Sequence, residues 1–277
     1  MNSTGPKEGT ALLEVRNLTV SFHQREKPAV DGISFKMKAA SILGLAGESG
    51  AGKSSIARAI IGLLKADSGE VLFKGEDILQ MNPQRLSATR QRIQLIFQNP
   101  SAGLSPRRSI EQTLLEPLEH FAIGSHSSRR NKIRQILPSV GLDTDILRRY
   151  PHQFSSGQQQ RIAIARALVT DPDLLIADEA VSALDVSVQA QILQLIQKLQ
   201  KERGIAVLFI SHDLAVIRQI ASEVAIIHHG QLLEHSAADD FFKQPVHKYS
   251  QSLLAFAKNE IPEAMKDQNW SLNSNKR

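Results

Sequence analysis

Apolar residues along this chain follow two recurring patterns, short runs with alternating or continuous apolar positions and longer stretches with helical spacing. The first pattern predicts strands and the second predicts helices. Predicted strands cover 12–22, 33–37, 41–46, 71–74, 93–97, 174–177, 205–210, 224–228 and 231–234. Predicted helices cover 53–64, 155–169, 186–201 and 214–221, and two short ones follow, ending near residue 257. Because strands and helices alternate, the sequence predicts an α/β fold with a mostly parallel sheet and helices on both faces.

The region between about residues 110 and 150 departs from this alternation. It has the pattern of successive helices, with breaks at 124–128 and 141–143 and a further breaker at Pro151. We therefore predict a helical subdomain, about residues 100–168, inserted into a domain that spans residues 11–257. Residues 258–277 are polar and carry no pattern, so we expect a flexible C-terminal tail.

Composition is that of a globular protein and excludes several kinds of chemistry. The 277 residues are 42% apolar and 22% charged, with a net charge of +5 and no cysteine. Without cysteine there is no disulfide, thiolate zinc site, iron–sulfur cluster or cysteine nucleophile. The charge is too small to indicate nucleic acid. No apolar run approaches the ~18 residues that span a bilayer, and no secretory signal is visible, so we expect any membrane role to depend on a partner.

The most specific motif is a glycine-rich turn between a predicted strand and a predicted helix. Gly47, four further residues, Gly52, Lys53 and Ser54 match the phosphate-binding loop pattern. Glycines allow a tight turn whose backbone N–H groups point at a phosphate, and the helix N-terminus adds a favourable dipole. Lys53 can then reach the β- and γ-phosphates, and Ser54 can bind Mg²⁺. A chance glycine-rich turn of this form arises in roughly 1% of chains of this length.

Other polar residues follow the ends of other predicted strands. Asp178 would hold Mg²⁺ and Glu179 would polarise an attacking water, although the pair read alone could cap a helix. His212 can donate to a γ-phosphate, although a lone histidine more often caps or packs. Gln98 offers an amide to metal and water. Because strand ends of a parallel sheet share one edge, we expect the segments at 178–179 and 211–212 to meet the glycine-rich turn at 47–54 in space.

Taken in order, these segments resemble the nucleotide-binding subunit of an ATP-binding cassette (ABC) transporter over about residues 11–257. The matching segments are the Walker A loop at 47–55, the Q-loop at Gln98, the signature at 154–158, Walker B at 174–179, the D-loop at 182–185 and the switch histidine, His212. The resemblance implies a P-loop NTPase ABC cassette with a mostly parallel core sheet, an antiparallel β subdomain and an inserted helical signature subdomain.

The resemblance also assigns roles to individual residues. It implies catalytic roles for Glu179, His212 and Lys53, and Mg²⁺ binding by Ser54, Gln98 and Asp178. Phe22 falls where the family stacks an aromatic ring on adenine, whereas a phenylalanine in such a strand is otherwise most often a core residue. The residues that it implies for ATP binding are Phe22, Gly47, Glu48, Ser49, Gly50, Ala51, Gly52, Lys53, Ser54, Ser55, Gln98, Ser155, Gly157 and Gln158.

Three stretches narrow the resemblance to the ATPases of dipeptide, oligopeptide and nickel importers. Residues 99–107 resemble the D-P-x-x-S-L-N-P-R stretch of these ATPases, and residues 245–254 resemble their P-x-H-P-Y-T-x-x-L-L ending. Residues 178–191, which include the end of Walker B and the D-loop, are close to the same segment of these ATPases. These systems usually pair two different ATPase subunits, one of which carries C-terminal cysteines for an iron–sulfur cluster. Because this chain has no cysteine, it resembles the other kind.

The chain departs from the family pattern in the signature, which is usually Leu-Ser-Gly-Gly-Gln. Phe154 and Ser156 replace the leucine and the first glycine, and Lys248 stands where a proline usually follows His247. A glycine at position 156 would be needed either for a positive φ or for close approach to a phosphate. Because Gly157 is retained, we expect the demanding conformation there and ordinary helical-start geometry at Ser156.

The resemblance implies an ATPase subunit of a bacterial importer, with ATP and Mg²⁺ as cofactors and di- or oligopeptides as the cargo. It implies a head-to-tail heterodimer with a second ABC ATPase subunit, in which each ATP site takes its signature from the other subunit. It also implies two membrane permease subunits, whose helices rest in a groove beside the Q-loop, and indirectly a substrate-binding protein. The chain would then be a peripheral membrane protein at the cytoplasmic face of the bacterial inner membrane, without a nucleic-acid partner.

Three alternatives stay open at this point. The cargo of the same kind of importer could be nickel or a metal chelate. A soluble ABC ATPase acting on ribosomes or DNA would usually carry two cassettes or a long coiled-coil insertion, and neither is present in this sequence. A non-hydrolytic regulatory subunit would not need Glu179 and His212.

Overall fold

The computed structural model describes residues 11–22, 26–98 and 103–257, and every structural statement concerns these residues. The strands are β1 Leu13–Val20, β2 Val30–Met37, β3 Ile42–Ala46, β4 Ser68–Phe73, β5 Glu76–Asp77, β6 Ile93–Ile96, β7 Leu174–Asp178, β8 Ala206–Ser211, β9 Glu223–His228 and β10 Gln231–Ala237. The helices are α1 Lys53–Ile60, α2 Pro83–Arg92, α3 Ile110–His120, α4 His126–Ser139, α5 Ser156–Leu168, α6 Val186–Arg203, α7 Leu214–Ile220, α8 Ala238–Lys243 and α9 Lys248–Ala257.

The strands form two sheets. The central sheet has the order β10-β9-β3-β8-β7-β6, and its pairs are parallel except for the antiparallel pair of β9 and β10. The second sheet is antiparallel, with the order β2-β1-β4-β5. The predicted mostly parallel core sheet and the antiparallel subdomain are both confirmed.

The central strands are apolar on both faces because both faces are covered. Every residue of β3 and β8 is buried. Leu43 and Leu208 belong to a hydrophobic core shared with α1 and the antiparallel sheet, whereas Val207 and Phe209 belong to a core shared with the helices. The prediction of helices on both faces is therefore correct only in part, because the antiparallel sheet covers much of one face.

The helical region between β6 and β7 contains α3, α4 and α5. Ser109 begins α3 with a capping box, in which its hydroxyl accepts the N–H of Gln112 and the Gln112 side chain accepts the N–H of Ser109. Two 3₁₀ turns, Thr144–Arg148 and Pro151–Gln153, connect α4 to α5.

Two helices differ from the sequence prediction. The helix predicted over 53–64 ends at Ile60, because Gly62 adopts the left-handed region at φ +66°. The prediction missed α2, although Asn82 accepts the N–H of Arg85 as its N-cap and Pro83 is its first residue.

Among the described residues, no helix combines the length and the apolar character that a membrane crossing requires. The predicted tail, residues 258–277, and part of the stretch 99–107 lie outside the described residues.

Candidate active site

The glycine-rich loop between β3 and α1 is packed against the backbone of neighbouring segments. Gly52, the N-cap of α1, has φ +108°, and a Cβ there would lie 2.2 Å from the carbonyl oxygen of Ala29. A Cβ on Gly47 would lie 2.1 Å from the carbonyl oxygen of Ile227. The loop therefore needs glycine at both positions, at Gly52 for its left-handed conformation as well as for space.

Lys53 folds back over this loop. Its Nζ donates to the carbonyl oxygens of Gly47 at 2.7 Å and Glu48 at 2.8 Å, and the residue is only 5% exposed. Burial lowers the pKa of Lys53, and the nearby carboxylates of Glu179 and Asp178 act in the opposite direction. The ammonium group is thus held at the loop, where a phosphate bound by the loop amides would meet it.

Ser54 and Asp178 meet across the sheet, from the first turn of α1 and the last residue of β7. The Ser54 hydroxyl donates to the Asp178 carboxylate at 3.0 Å. Burial raises the pKa of Asp178, and the hydrogen bond from Ser54 opposes that rise. A hydroxyl beside a carboxylate is an oxygen donor set of the kind that Mg²⁺ takes together with phosphate oxygens.

Glu179 is held between two polar side chains from other strand ends. Gln98 Nε2 donates to one carboxylate oxygen of Glu179 at 2.7 Å, and His212 Nδ1 lies 3.2 Å from the other. Glu179 also has φ +48°, a left-handed conformation that costs a non-glycine residue about 1 kcal/mol or more. Its backbone N–H donates to the carbonyl oxygen of Ile210 at 3.0 Å, which fixes this turn against β8.

Lys53, Ser54, Gln98 and Glu179 line one cavity of about 320 Å³, a volume in the lower part of the range for small-molecule sites. Asp178 and His212 do not line it and lie behind it, in contact with Ser54 and Glu179. Phe22 lies at this cavity with 37% of its surface exposed, so the alternative that it is a core residue is wrong. The lining residues are Phe22, Ala29, Ser49, Gly50, Gly52, Lys53, Ser54, Ser55, Gln98 and Glu179.

The signature residues lie elsewhere, at the N-terminus of α5. Ser155 caps the helix, with its hydroxyl accepting the N–H of Gln158 at 3.3 Å and the Gln158 side chain accepting the N–H of Ser155 at 3.1 Å. None of the described residues lining the cavity comes from this segment. Phe154, which replaces the leucine, is 7% exposed. The guanidinium of Arg149 lies over its ring, 4.5 Å from the centre of the phenylalanine ring.

Ser156 and Gly157 both have ordinary backbone geometry. Ser156 is the first residue of α5 and has no positive φ, as expected. Gly157 has no positive φ either, so the expectation of a demanding conformation there is wrong. A Cβ at Gly157 would lie 2.5 Å from Val188 Cγ1 of α6, and the glycine therefore provides space rather than conformational freedom.

Ser156→Gly is expected to change the free energy of unfolding by less than about 1 kcal/mol, and to lower it rather than raise it, because glycine favours a helix less than serine. Gly157→Ala is the matched comparison, and it is expected to be more destabilising because its Cβ would collide with Val188. Thermal melting of the purified chain measures both changes. A marked rise in melting temperature for Ser156→Gly would mean that the serine is strained, contrary to this account.

A second cavity, of about 370 Å³, lies beside Gln98 between β6, α3 and α5. Phe97 and Leu63 stand largely exposed at its wall, and Leu63 is 58% exposed. The helix predicted over 53–64 would include Leu63, whereas in the structure Leu63 follows the end of α1 and lies exposed at this groove. Exposed large apolar side chains in a groove are typical of a surface that a partner covers.

Comparison with known proteins identifies both a matching family and individual relatives. The family model described as "ABC transporter" matches residues 30–182. The oligopeptide transport ATP-binding protein OppF of Streptococcus mutans is 42% identical over 248 residues, which cover 88% of this chain and 80% of that protein. AppF of Bacillus subtilis, another oligopeptide transport ATP-binding protein, is 44% identical over 254 residues, which cover 88% of this chain and 77% of AppF.

Solved structures show the same architecture. The structure of cbiO1 from Clostridium perfringens, part of an ABC transporter complex, has a TM-score of 0.77 and 25% identity, covering 84% of this chain and 91% of that one. A dimeric ATP-binding cassette in a post-hydrolysis state, bound to ADP and Pi, has a TM-score of 0.73 and 28% identity, covering 82% of this chain and 98% of that one.

Proposed function

The chain belongs to the ABC transporter family, and on that premise we propose that it is the ATP-hydrolysing subunit of an importer for di- or oligopeptides. The observation that carries the proposal is the convergence of Lys53, Ser54 and Glu179 on one cavity at the glycine-rich loop, with Asp178 hydrogen-bonded to Ser54 beside it. The peptide cargo is supported by the relatives, whose names describe oligopeptide transport at 42% and 44% identity.

ATP binding would begin with the loop. The amides of the loop and the N-terminus of α1 would hold the β-phosphate, and Lys53 would turn from its carbonyl partners towards the β- and γ-phosphates. Phe22, exposed at the rim of the same cavity, would stack on the adenine ring.

Mg²⁺ fits the oxygen donors of Ser54 and Asp178, which already touch at 3.0 Å. When bound, it would neutralise charge on the β- and γ-phosphate oxygens. Gln98 donates its amide hydrogen to Glu179, and its side-chain oxygen is the atom that could contact the metal.

Hydrolysis would depend on Glu179. A water attacks the γ-phosphorus, Glu179 draws the proton of that water, and the bond to the ADP oxygen breaks, which leaves ADP and inorganic phosphate. In the structure, Gln98 and His212 each contact one oxygen of the Glu179 carboxylate. A γ-phosphate would compete for His212 and leave a carboxylate oxygen for the water. Lys53 would stabilise the developing charge.

A second ABC ATPase subunit would complete the site. The α5 N-terminus lies outside the cavity of its own chain, and an anion-binding helix N-terminus from a partner could close over the bound ATP. We assign the groove beside Gln98 to helices of two membrane permease subunits, which would place the chain at the cytoplasmic face of the bacterial inner membrane. A substrate-binding protein would deliver the cargo to the permeases.

The test is reconstitution. The chain is purified with its partner ATPase and the permeases encoded beside it, the complex is placed in lipid vesicles, and ATP hydrolysis is measured with the binding protein and a peptide library. We expect peptides to stimulate hydrolysis and to enter the vesicles. Stimulation by nickel or a metal chelate, with none by peptides, would contradict the peptide assignment. Absence of ATP hydrolysis in every arm would contradict the enzymatic role.

A further inference from the structure

The end of strand β1 leads the chain to the cavity at the glycine-rich loop. Val20 is the last residue of β1, and Phe22, two residues further on, lies exposed at the cavity. Phe22 belongs to neither a strand nor a helix, so the direction of its ring depends on how the backbone before it is held. The contacts of residues 19–21 therefore decide where this ring can lie.

Three consecutive residues at the end of β1 have backbone hydrogen-bond partners. The carbonyl oxygen of Thr19 accepts the N–H of Asp67 at 2.9 Å. The carbonyl oxygen of Val20 accepts the N–H of Ala29 at 2.8 Å. The N–H of Ser21 donates to a carboxylate oxygen of Asp67 at 2.6 Å. Asp67 thus holds the chain on both sides of Val20, through its own N–H and through its side chain.

The hydrogen bond between Ser21 and Asp67 acts on direction more than on the stability of the fold. Its acceptor is a charged carboxylate, and such bonds are shorter and stronger than those between neutral groups. Both residues are exposed, so water can take the place of the carboxylate if the side chain is removed. Removing the carboxylate should therefore free the backbone beside Phe22 without unfolding the sheet.

The segment that carries Asp67 is fixed against β1. Gly69 has φ +98°, and a Cβ there would lie 2.5 Å from the carbonyl oxygen of Asn17, so this position requires glycine. Ser68 pairs with Thr19 in the ladder between β4 and β1. The backbone of Asp67 therefore has a defined position, from which its side chain reaches past the end of β1.

Asp67 lies outside the cavity itself. It belongs to the connection between α1 and β4, and it is not one of the described residues that line the cavity. Lys53 and Ser54, in contrast, line the cavity at the glycine-rich loop. Any effect of Asp67 on a bound nucleotide has to pass through the residues that it contacts, and Ser21 is the one that adjoins Phe22.

We propose that Asp67 is a positioning residue for the adenine base, which through the N–H of Ser21 holds the end of β1 so that the ring of Phe22 faces the base of bound ATP. The inference rests on the proposed function, because it presumes that ATP occupies this cavity and stacks on Phe22. It gives Asp67 a role in affinity for the base, and none towards the phosphates or in the chemical step.

Asp67→Ala removes the acceptor of the Ser21 N–H and keeps the backbone contact with Thr19. Stacking of a base on an aromatic ring contributes about 5- to 150-fold to binding, and the variant should lose part of it, so we expect the Kd for MgATP to rise by about 3- to 10-fold. The KM should rise with it while kcat stays within about 2-fold. Asp67→Asn keeps an acceptor oxygen and should bind MgATP within about 2-fold of wild type.

Inorganic tripolyphosphate with Mg²⁺ separates positioning from structural support, because it has the phosphates of ATP and no base. Asp67→Ala should bind it within about 2-fold of wild type, since the phosphate contacts are intact. Phe22→Ala should weaken MgATP binding by about 5-fold or more. In that background Asp67→Ala should add less than about 2-fold, because two residues that act through one contact are not additive.

Asp77→Ala is the matched control. The Asp77 carboxylate also accepts backbone N–H groups in the antiparallel sheet, those of Val71 and Leu79 at 3.1 Å each, and Asp77 does not line the cavity. Its loss should lower the melting temperature and leave the ratio of the two affinities unchanged. Binding and melting are measured on the purified full-length chain, and kinetics on the assembled transporter.

Several outcomes would overturn the inference. They are wild-type MgATP affinity in Asp67→Ala or in Phe22→Ala, an equal loss of affinity for MgATP and tripolyphosphate, additive effects of the two substitutions, and failure of Asp67→Ala to fold. A wild-type chain that binds neither ligand would instead contradict the proposed function. If wild type binds both ligands, Phe22→Ala loses affinity for MgATP alone and Asp67→Ala equals wild type, only the role of Asp67 is wrong.

Discussion

Glu179→Gln is expected to keep ATP binding within a few-fold of wild type while hydrolysis falls by ~10²-fold or more. The amide retains the size and the hydrogen-bonding capacity of the side chain, so the contacts with Gln98 and His212 can persist. It cannot take a proton from water, and the chemical step loses its base. Because ATP stays bound, the variant should also accumulate as a closed, ATP-bound dimer with its partner ATPase.

The measurement is steady-state phosphate release by the assembled transporter, together with equilibrium binding of MgATP and size analysis of the ATPase subunits. Glu202→Gln on the exposed side of α6 is the matched control, since the Glu202 carboxylate lies 3.9 Å from Lys198 on the same helix and does not line the cavity. Hydrolysis by Glu179→Gln at a rate near that of wild type would remove Glu179 from the mechanism.

Lys53→Ala is expected to weaken MgATP binding by roughly 10- to 100-fold and to reduce hydrolysis with it, the range for loss of a charged hydrogen-bond donor. Lys53 is the buried ammonium at the glycine-rich loop, and it donates to two backbone carbonyls. A phosphate oxygen is a stronger acceptor than either carbonyl, and the ammonium should therefore move to it when ATP binds.

The rise in melting temperature that MgATP causes reports this change directly, because a ligand that binds only the folded state stabilises it. Lys65 is an exposed lysine shortly after α1, and Lys65→Ala is the control. Wild type and Lys65→Ala should show the same rise in melting temperature, and Lys53→Ala should show little or none. An equal rise in all three proteins would contradict the role given to Lys53.

The geometry around Glu179 also gives a physical reason for tight coupling of hydrolysis to transport. The residue adopts a left-handed backbone conformation, and both of its carboxylate oxygens have partners from other strand ends. A base whose lone pairs are engaged is poorly placed to polarise water. Hydrolysis would then wait until nucleotide and partner subunit have redirected Gln98 and His212.

The sequence alone determined the parts of this protein that depend on local pattern. The glycine-rich loop could be read directly, because a turn that presents amides to phosphate needs glycine, lysine and serine at fixed spacing between a strand and a helix. That the segments at 47–54, 178–179 and 211–212 come together also followed, because each comes after a strand and parallel strands share one edge. The contact of Gln98 with Glu179 was not predicted.

Only the tertiary structure decided the features that depend on contacts between distant segments. Two other errors were failures to use local signals, because Gly62 ends α1 and Asn82 with Pro83 starts α2. Gly157 has an ordinary φ, and a glycine is needed there because a Cβ would collide with Val188 of another helix. The ring of Tyr249 in α9 packs on His228 at the end of β9, and this contact depends on how the chain returns across the sheet. Spacing along a chain encodes turns and faces, but packing between elements far apart in sequence leaves no local pattern to read.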